Sequence, residues 1–263
     1  MMKRLIFKIL SLCLPLLTIS SCVGQLERKF PWEEDEEPAE EQQAEQDWSD
    51  AFLVLDFTAT WCVNCPDMSD AIEKLKERRK VVPVCVHYLD EFDCEASRDL
   101  VSHFDISAFP VAIVGFCRKF NTSSSSVDIL DGLCEKASSA RCGEIHLETS
   151  LKDGICTIKA DVKFAADGTF RLGMMLLEDG LTAPQTGRPD GYVHDNVLRC
   201  FLHQGVAGDN LGSQKEGGSI SKEFSFETAK YNNLSSLKAV AYLVPDSEGP
   251  GAACASVAIL PED

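Results

Sequence analysis

An α/β domain followed by an all-β sandwich is the fold class this sequence predicts, on three observations. Over residues 48–140, apolar runs with strand character alternate with helical patterns, the rhythm of a mixed α/β layout. From about Cys142 the texture changes to short β-rich segments broken by Gly, Asp and Pro. Of the 263 residues 44% are hydrophobic, enough for real cores in both stretches.

Two segments precede the first predicted strand. Met1–Arg4 is basic, and Leu5–Ile19 is apolar, broken by Pro15 and followed by small residues. That is too short for a spanning helix and reads as a secretory signal over residues 1–21. Ile19-Ser20-Ser21-Cys22 resembles a bacterial lipobox, which implies a lipidated Cys22 as the mature N-terminus and attachment to the cell envelope, at the outer membrane. The alternative is ordinary cleavage near Ser20-Ser21 with Cys22 an extra thiol. Residues 27–47 then hold ten acidic and two basic residues. Such a segment buries too little apolar surface to offset its ordering entropy, so 22–47 is expected to be a solvated tether, with an acidic recognition tail as the alternative.

Composition narrows the function classes. A formal net charge of -17 excludes nucleic-acid binding and electrostatic attachment to anionic lipid. Twelve cysteines point to an oxidising compartment. With Cys13 lost in the signal and Cys22 lipidated, the pair Cys62 and Cys65 remains beside Cys85, Cys94, Cys117, Cys134, Cys142, Cys156, Cys200 and Cys254. The even number of the latter fits several structural disulfides, with connectivity left open.

The elements of 48–140 follow in order. Phe52–Thr58 is a continuous apolar run with one charge, Asp56, suited to a central strand buried on both faces. Met68, Ala71, Ile72 and Leu75 share one face of a helix, with Pro66 in its first turn and Arg78-Arg79-Lys80 at its end. Val81–Tyr88 is a second strand, and Pro83 suggests an edge or a bulge. Ala96, Leu100, Val101 and Phe104 mark a shorter helix. Val111–Phe116 is a third strand with Arg118–Asn121 pairing back, and Val127–Ala140 is helical. Ser123–Ser126 suits a turn and helix cap.

Between the first strand and first helix sits Trp61-Cys62-Val63-Asn64-Cys65. At a helix N-terminus, unpaired N–H groups and the positive dipole end favour a thiolate, lowering its pKa from about 8.5 toward about 7. The string Asp56-Phe57-x-Ala59-x-Trp61-Cys62-x-x-Cys65 is similar to the active-site segment of thioredoxins. Phe104-Asp105-Ile106-Ser107-Ala108-Phe109-Pro110 resembles the segment that carries that family's cis-proline. Thr58, Val63-Asn64 and the position of Pro66 depart from the family pattern and bear on redox potential. The resemblance implies that Cys62 attacks and Cys65 resolves, with Asp56 as buried proton acceptor. It also implies that Pro110 is cis beside a docking backbone at Phe109, and that Trp61 shields the site. For Asp56 the alternative is an N-cap or edge residue. For the pair it is an inert structural disulfide or half a zinc site, the latter lacking a second close pair.

In the second stretch, seven segments read as strands. They are Glu144–Ser150, Ile155–Phe164, Thr169–Glu178, Tyr192–Cys200, Lys222–Glu227, Leu237–Pro245 and Ala253–Leu260. Their number and alternation suggest an immunoglobulin-like sandwich over 141–263. Glu178-Asp179-Gly180, Gln185 and Tyr192–Arg199 resemble the C-terminal domain of Omp28-like proteins. Those are outer-membrane lipoproteins and secreted proteins of Bacteroidetes, often preceded by a thioredoxin-like half. His87, His103, His194 and His203 carry no matched acids or thiols and are expected in structural or surface roles. The Gly-rich stretch 205–218 lacks the strand-to-helix context of a phosphate loop.

The expectation is a membrane-tethered thiol–disulfide oxidoreductase of the envelope, with protein thiols or disulfides as substrates. It would need no cofactor beyond the Cys62–Cys65 disulfide and no metal. Oligomeric state, direction of electron flow and membrane face stay open. The alternative is an envelope binding or adhesion lipoprotein whose thioredoxin-like part is mainly structural.

Overall fold

The computed structural model describes residues 48–138 and 141–246, and the backbone of 254–259. Cys22, the signal expected over residues 1–21 and the tether expected over 22–47 lie outside the described residues.

The first stretch runs β1 (Ala51–Thr58), α1 (Cys65–Lys76), β2 (Val81–His87), α2 (Glu95–Phe104), β3 (Val111–Val114), β4 (Asn121–Thr122) and α3 (Val127–Ser138). Every residue of β1 is buried, as its unbroken apolar run demands. The predicted helical faces are the buried ones: Met68, Ala71, Ile72 and Leu75 on α1, and Ala96, Leu100, Val101 and Phe104 on α2. At the end of α2, Asp105 takes the left-handed conformation, φ 56°, and closes the helix.

The second stretch is rich in strands: β5 (Gly143–Lys152), β6 (Ile155–Phe164), β7 (Gly168–Glu178), β8 (Leu181–Thr182), β9 (Val193–His194), β10 (Val197–Phe201), β11 (Asp209–Gln214), β12 (Ser219–Glu227), β13 (Leu237–Pro245) and β14 (Cys254–Ile259). Among them β12, β6 and β5 form an antiparallel three-stranded sheet. The others of any length join the sheet begun by the first stretch, in the order β14-β13-β7-β10-β2-β1-β3-β4, with β11 on β7. Pairings among the described residues join the stretches: β10 lies parallel to β2 through Val197 and Cys85, β14 lies antiparallel to the start of β1, and Ser49 bridges Ile145 of β5.

This mixed sheet is buried on both faces. On one, Leu53, Leu55, Phe57, Val84 and Val86 join Met175, Leu177, Val240 and Tyr242, and α2 packs across them through Leu100, Val101 and Phe104. On the other, Val54, Ala112 and Val114 meet α1 and α3, while Leu172, Met174, Leu176, Ala239 and Ala241 face Ile145, Ile158, Val162 and Phe224 of the three-stranded sheet. The alternation along β7 does both tasks, odd positions to one core and even positions to the other. The protein is thus mixed α/β with a sheet-rich second half. Its first and second stretches are held by one sheet and one continuous core, which the alternation of single strands could not reveal.

Cys85, Cys94, Cys117, Cys134, Cys156 and Cys200 are free thiols. They are spread over β2, the start of α2, the turn after β3, α3, β6 and β10. The side chain of Cys254 lies outside the described residues.

Candidate active site

The chain leaves β1 at Thr58 and winds through Ala59–Asn64 into α1, so the helix opens at Cys65 with Asn64 as its cap. The turn holds itself: Cys62 N–H donates to the Ala59 carbonyl at 3.1 Å and Cys65 N–H to the Cys62 carbonyl at 3.4 Å. Cys62 and Cys65 are joined by a disulfide, their Cα atoms 5.5 Å apart. Both are buried, Cys65 completely and Cys62 to 6% exposure, so Cys62 is the outer of the two. They form a small apolar cluster with Ala59, and Phe109 packs against it. Pro110 is buried and follows a cis peptide bond. The second expected motif therefore does lie beside the first.

Trp61 stands at the rim, 49% exposed, its indole N–H donating to the Tyr88 carbonyl at 3.1 Å. Its ring meets Phe109 edge-on at 5.5 Å, and Phe109 stacks on Tyr88 at 5.7 Å. These three rings make an amphipathic shelf next to the pair. Tyr88 carries no chemical motif, and nothing in the sequence pointed to it.

Asp56 is 1% exposed. Ser69, one turn after Cys65 on the same face of α1, donates to its Oδ2 at 2.8 Å. The carboxylate therefore lies under the first turn of the helix, beneath the pair. Burial pushes its pKa up to about 6, against the lowering effects of the Ser69 hydroxyl and nearby His87. Ser69 was not singled out by the sequence; its spacing from Cys65 was the available signal.

The loop after β2 braces the turn. Asp90 Oδ2 accepts from the Thr60 N–H at 2.8 Å and lies 2.7 Å from His87 Nδ1, while Thr60 Oγ1 donates to Glu91 at 2.8 Å. Burial tends to raise the Asp90 pKa, but His87 and the Thr60 and Phe92 N–H groups hold it below the usual range. The expectation that His87 lacks a matched acid is thus corrected: the acid is three residues on, around a turn that helical or strand periodicity does not describe.

The second stretch also reaches the pair. Gln185, 5% exposed, donates its side-chain amide to the Cys62 carbonyl at 2.9 Å, and Thr186 N–H donates to the Thr60 carbonyl at 2.8 Å. Gly187 has φ +82°, and a Cβ there would sit 3.0 Å from Val63 Cγ2, so the backbone rests on the pair's own dipeptide. Arg188 bridges Asp67 and Asp70 on α1 at 3.0 and 2.9 Å. His194 is 6% exposed, with its ring 5.1 Å from that of His87. Of the structural or surface roles expected for it, the surface one is corrected, because the parallel pairing of β10 with β2 brings His194 beside His87 in the interior. His103 and His203 lie elsewhere, against Phe104 and Tyr242. Among the described residues, no group of three or more His, Cys, Asp or Glu is arranged to hold a metal ion.

Comparison with known proteins finds two families along the chain. The family described as "Thioredoxin" matches residues 37–127, and that described as "Outer membrane protein Omp28" matches 98–258. HBP35 of Porphyromonas gingivalis has a similar fold, with TM-score 0.69 and 20% identity over 82% of this chain and 76% of that one. Protein AGR_C_4864 from Agrobacterium tumefaciens gives TM-score 0.56 and 15% identity over 81% of this chain and 95% of its own. Among curated proteins none matches. No helix among the described residues is long and apolar enough to cross a membrane. With the Omp28 match spanning 98–258, the chain belongs to the Omp28 outer membrane protein family and carries a thioredoxin domain in front.

Proposed function

We propose that this protein is a thiol–disulfide oxidoreductase of the bacterial cell envelope. The observation that carries the reading is the Cys62–Cys65 disulfide at the start of α1, with Phe109 against it and Asp56 beneath. In the reducing direction, the Cys62 thiolate attacks one sulfur of a substrate disulfide and expels the other as a thiolate. Cys65, deprotonated by Asp56, attacks Cys62 Sγ, closes the internal disulfide and releases the second substrate thiolate. The pair gives up two electrons and needs no other cofactor; a dithiol donor restores it. Trp61 and the Phe109 backbone would dock an extended substrate segment, with Pro110 holding that backbone beside the pair.

The partners in this reading are protein thiols and disulfides, and the membrane through a lipidated Cys22, with the tether of 22–47 between. The described contacts of Gln185, Thr186 and Arg188 support an orienting role for the second half. A division near residue 140 and an immunoglobulin-like arrangement beyond it are supported by β5, β6 and β12 packing across a core from β7 and β13.

One observation favours the second reading, a binding or adhesion protein: both sulfurs are buried, and Gly187 rests on Val63. The test is reduction of insulin disulfides by the purified full chain with dithiothreitol as donor. Turnover that disappears in Cys62→Ser supports the enzyme. A wild-type chain with no turnover above dithiothreitol alone, and a pair that does not reduce reversibly, supports the binding protein instead.

A further inference from the structure

Beside the first turn of α1, at Pro66 and Ser69, lies a cavity of about 130 Å³ lined by both stretches of the chain. Asp56, Ser69, Cys85 and His87 contribute from the first, Tyr192 and His194 from the second. The wall is fixed by backbone: Asp56 and Cys85 are register partners on β1 and β2, and Cys85 N–H donates to the Asn196 carbonyl at 2.8 Å.

Two residues around this cavity each carry a buried side-chain atom without a hydrogen-bond partner in the protein, Asp56 at Oδ1 and His194 at Nε2. Leaving such an atom unsatisfied costs about 1–3 kcal/mol, and two on residues around one space point to a common function. The cavity exceeds severalfold the volume of about 10–15 Å³ that one water needs, and it offers polar partners on both sides.

We propose that His194 is the outlet for the proton that Asp56 takes from Cys65, connected to Asp56 Oδ1 by water held in this cavity. The inference rests on the redox reading above. His194 touches neither sulfur nor substrate; it is a positioning residue that acts through Asp56.

The chemistry of the ring suits the task. A hydrogen bond with the Ala183 backbone engages the ring, while Nε2 is left without a partner in the protein. In the neutral tautomer with the proton on the engaged nitrogen, Nε2 is the acceptor. Burial, then the neighbouring His87, holds the His194 pKa below its usual value, which keeps the ring in the neutral, proton-accepting form. The charges around the route divide by side. Asp90 and Glu91 on the loop after β2 favour a protonated His194, and His87 opposes it. Asp70 and Glu73 of α1 and Asp195 beside His194 also line the cavity, with Cys85 and Tyr192 as its neutral titratable groups.

The step balances. The Cys65 thiol gives its proton to the Asp56 carboxylate, and its thiolate forms the bond to Cys62 Sγ as the Cys62–substrate bond breaks. The substrate leaves as a thiolate, its disulfide reduced and the pair oxidised. The proton on Asp56 passes through water to His194 Nε2 and on to solvent, and a dithiol restores the pair.

The experiment follows insulin reduction by the full chain with dithiothreitol between pH 5 and 9, for wild type, His194→Ala and His194→Gln. The proposal expects turnover to fall roughly ten-fold in both variants, with the limb near pH 6 displaced. Added imidazole, admitted by the space that His194→Ala opens, restores that variant to within about two-fold of wild type. His194→Gln preserves ring-sized bulk and supplies the same rate and pH readout where His194→Ala is too unstable to assay. Variants with wild-type rate and profile overturn the relay. So does a slow variant whose pH profile is unchanged and whose rate imidazole does not restore. A wild type without turnover sinks the redox reading first, and the relay with it.

Discussion

The redox turn Ala59–Cys65 and the loop Ala183–Asn196 meet at one site, yet they are held there differently. The first is braced from within its own stretch of the chain, by the Cys62 and Cys65 N–H groups on carbonyls of the same turn, by the strand and helix on either side and by Asp90 and Glu91 on Thr60. The second has the two-residue strand β9, left-handed backbone at Gly187, Gly191 and Asn196, and anchors that reach outward to Cys62, Thr60, Asp67 and Cys85. A segment that shapes itself can carry the chemistry in any context that folds. A segment shaped by its neighbour can only modify that chemistry, and only where the two halves are docked.

Substitutions should separate the two roles. The largest effect is expected at Cys62→Ser, which removes all turnover in the insulin assay while leaving the fold as judged by circular dichroism. Asp56→Asn comes next and acts in opposite senses on rate and stability. Turnover should fall roughly 100-fold, as for loss of a general base. Stability at pH 7 should rise by up to about 3 kcal/mol, because the folded pKa of about 6 lies some two units above the model-compound value of 3.8. The sign follows from proton binding. The folded state holds the Asp56 proton more tightly, so this group's stabilising contribution is complete below pH 4 and is lost as pH rises through 6. Chemical denaturation of wild type and variant at pH 4 and pH 7 measures it; a gain at pH 7 no larger than at pH 4 would contradict it.

Smaller effects are expected in the loop. Gln185→Ala removes one buried hydrogen bond to the Cys62 carbonyl and should cost about 1 kcal/mol in the same denaturation experiment. Arg188→Ala should cost less, under about 1 kcal/mol, since Asp67 and Asp70 are largely exposed and screened. If Arg188→Ala cost more than Gln185→Ala, the loop would be held by its rim rather than by its contact with the pair.

The same contrast explains what could be read in the chain before its fold was known. The redox turn announced itself, because a strand run, a cysteine pair and a helical face are local signals in consecutive residues. Phe104–Pro110 was legible for the same reason. The strands of the second half were legible too, since alternation along β6 or β7 needs no knowledge of a partner. The segment Asp209–Gln214 was not: DNLGSQ has no alternation and turns left-handed at Gly212, and it becomes β11 only by pairing with β7. Pairings between distant strands leave no periodic trace. The parallel step from β10 to β2 is one of these, and it brings His194 to His87 and closes the cavity over Asp56. Gln185 was visible through a family resemblance, and its contact with Cys62 was not.

All of this depends on a pair that cycles. The direct measurement equilibrates the full chain in mixtures of reduced and oxidised dithiothreitol and follows alkylation of the peptide carrying Cys62 and Cys65 by mass spectrometry. A single reversible two-electron transition is expected, with both thiols appearing together, and it should vanish in Cys62→Ser. A disulfide that stays closed through every mixture in the folded protein would contradict the account and leave Cys62–Cys65 a structural bond.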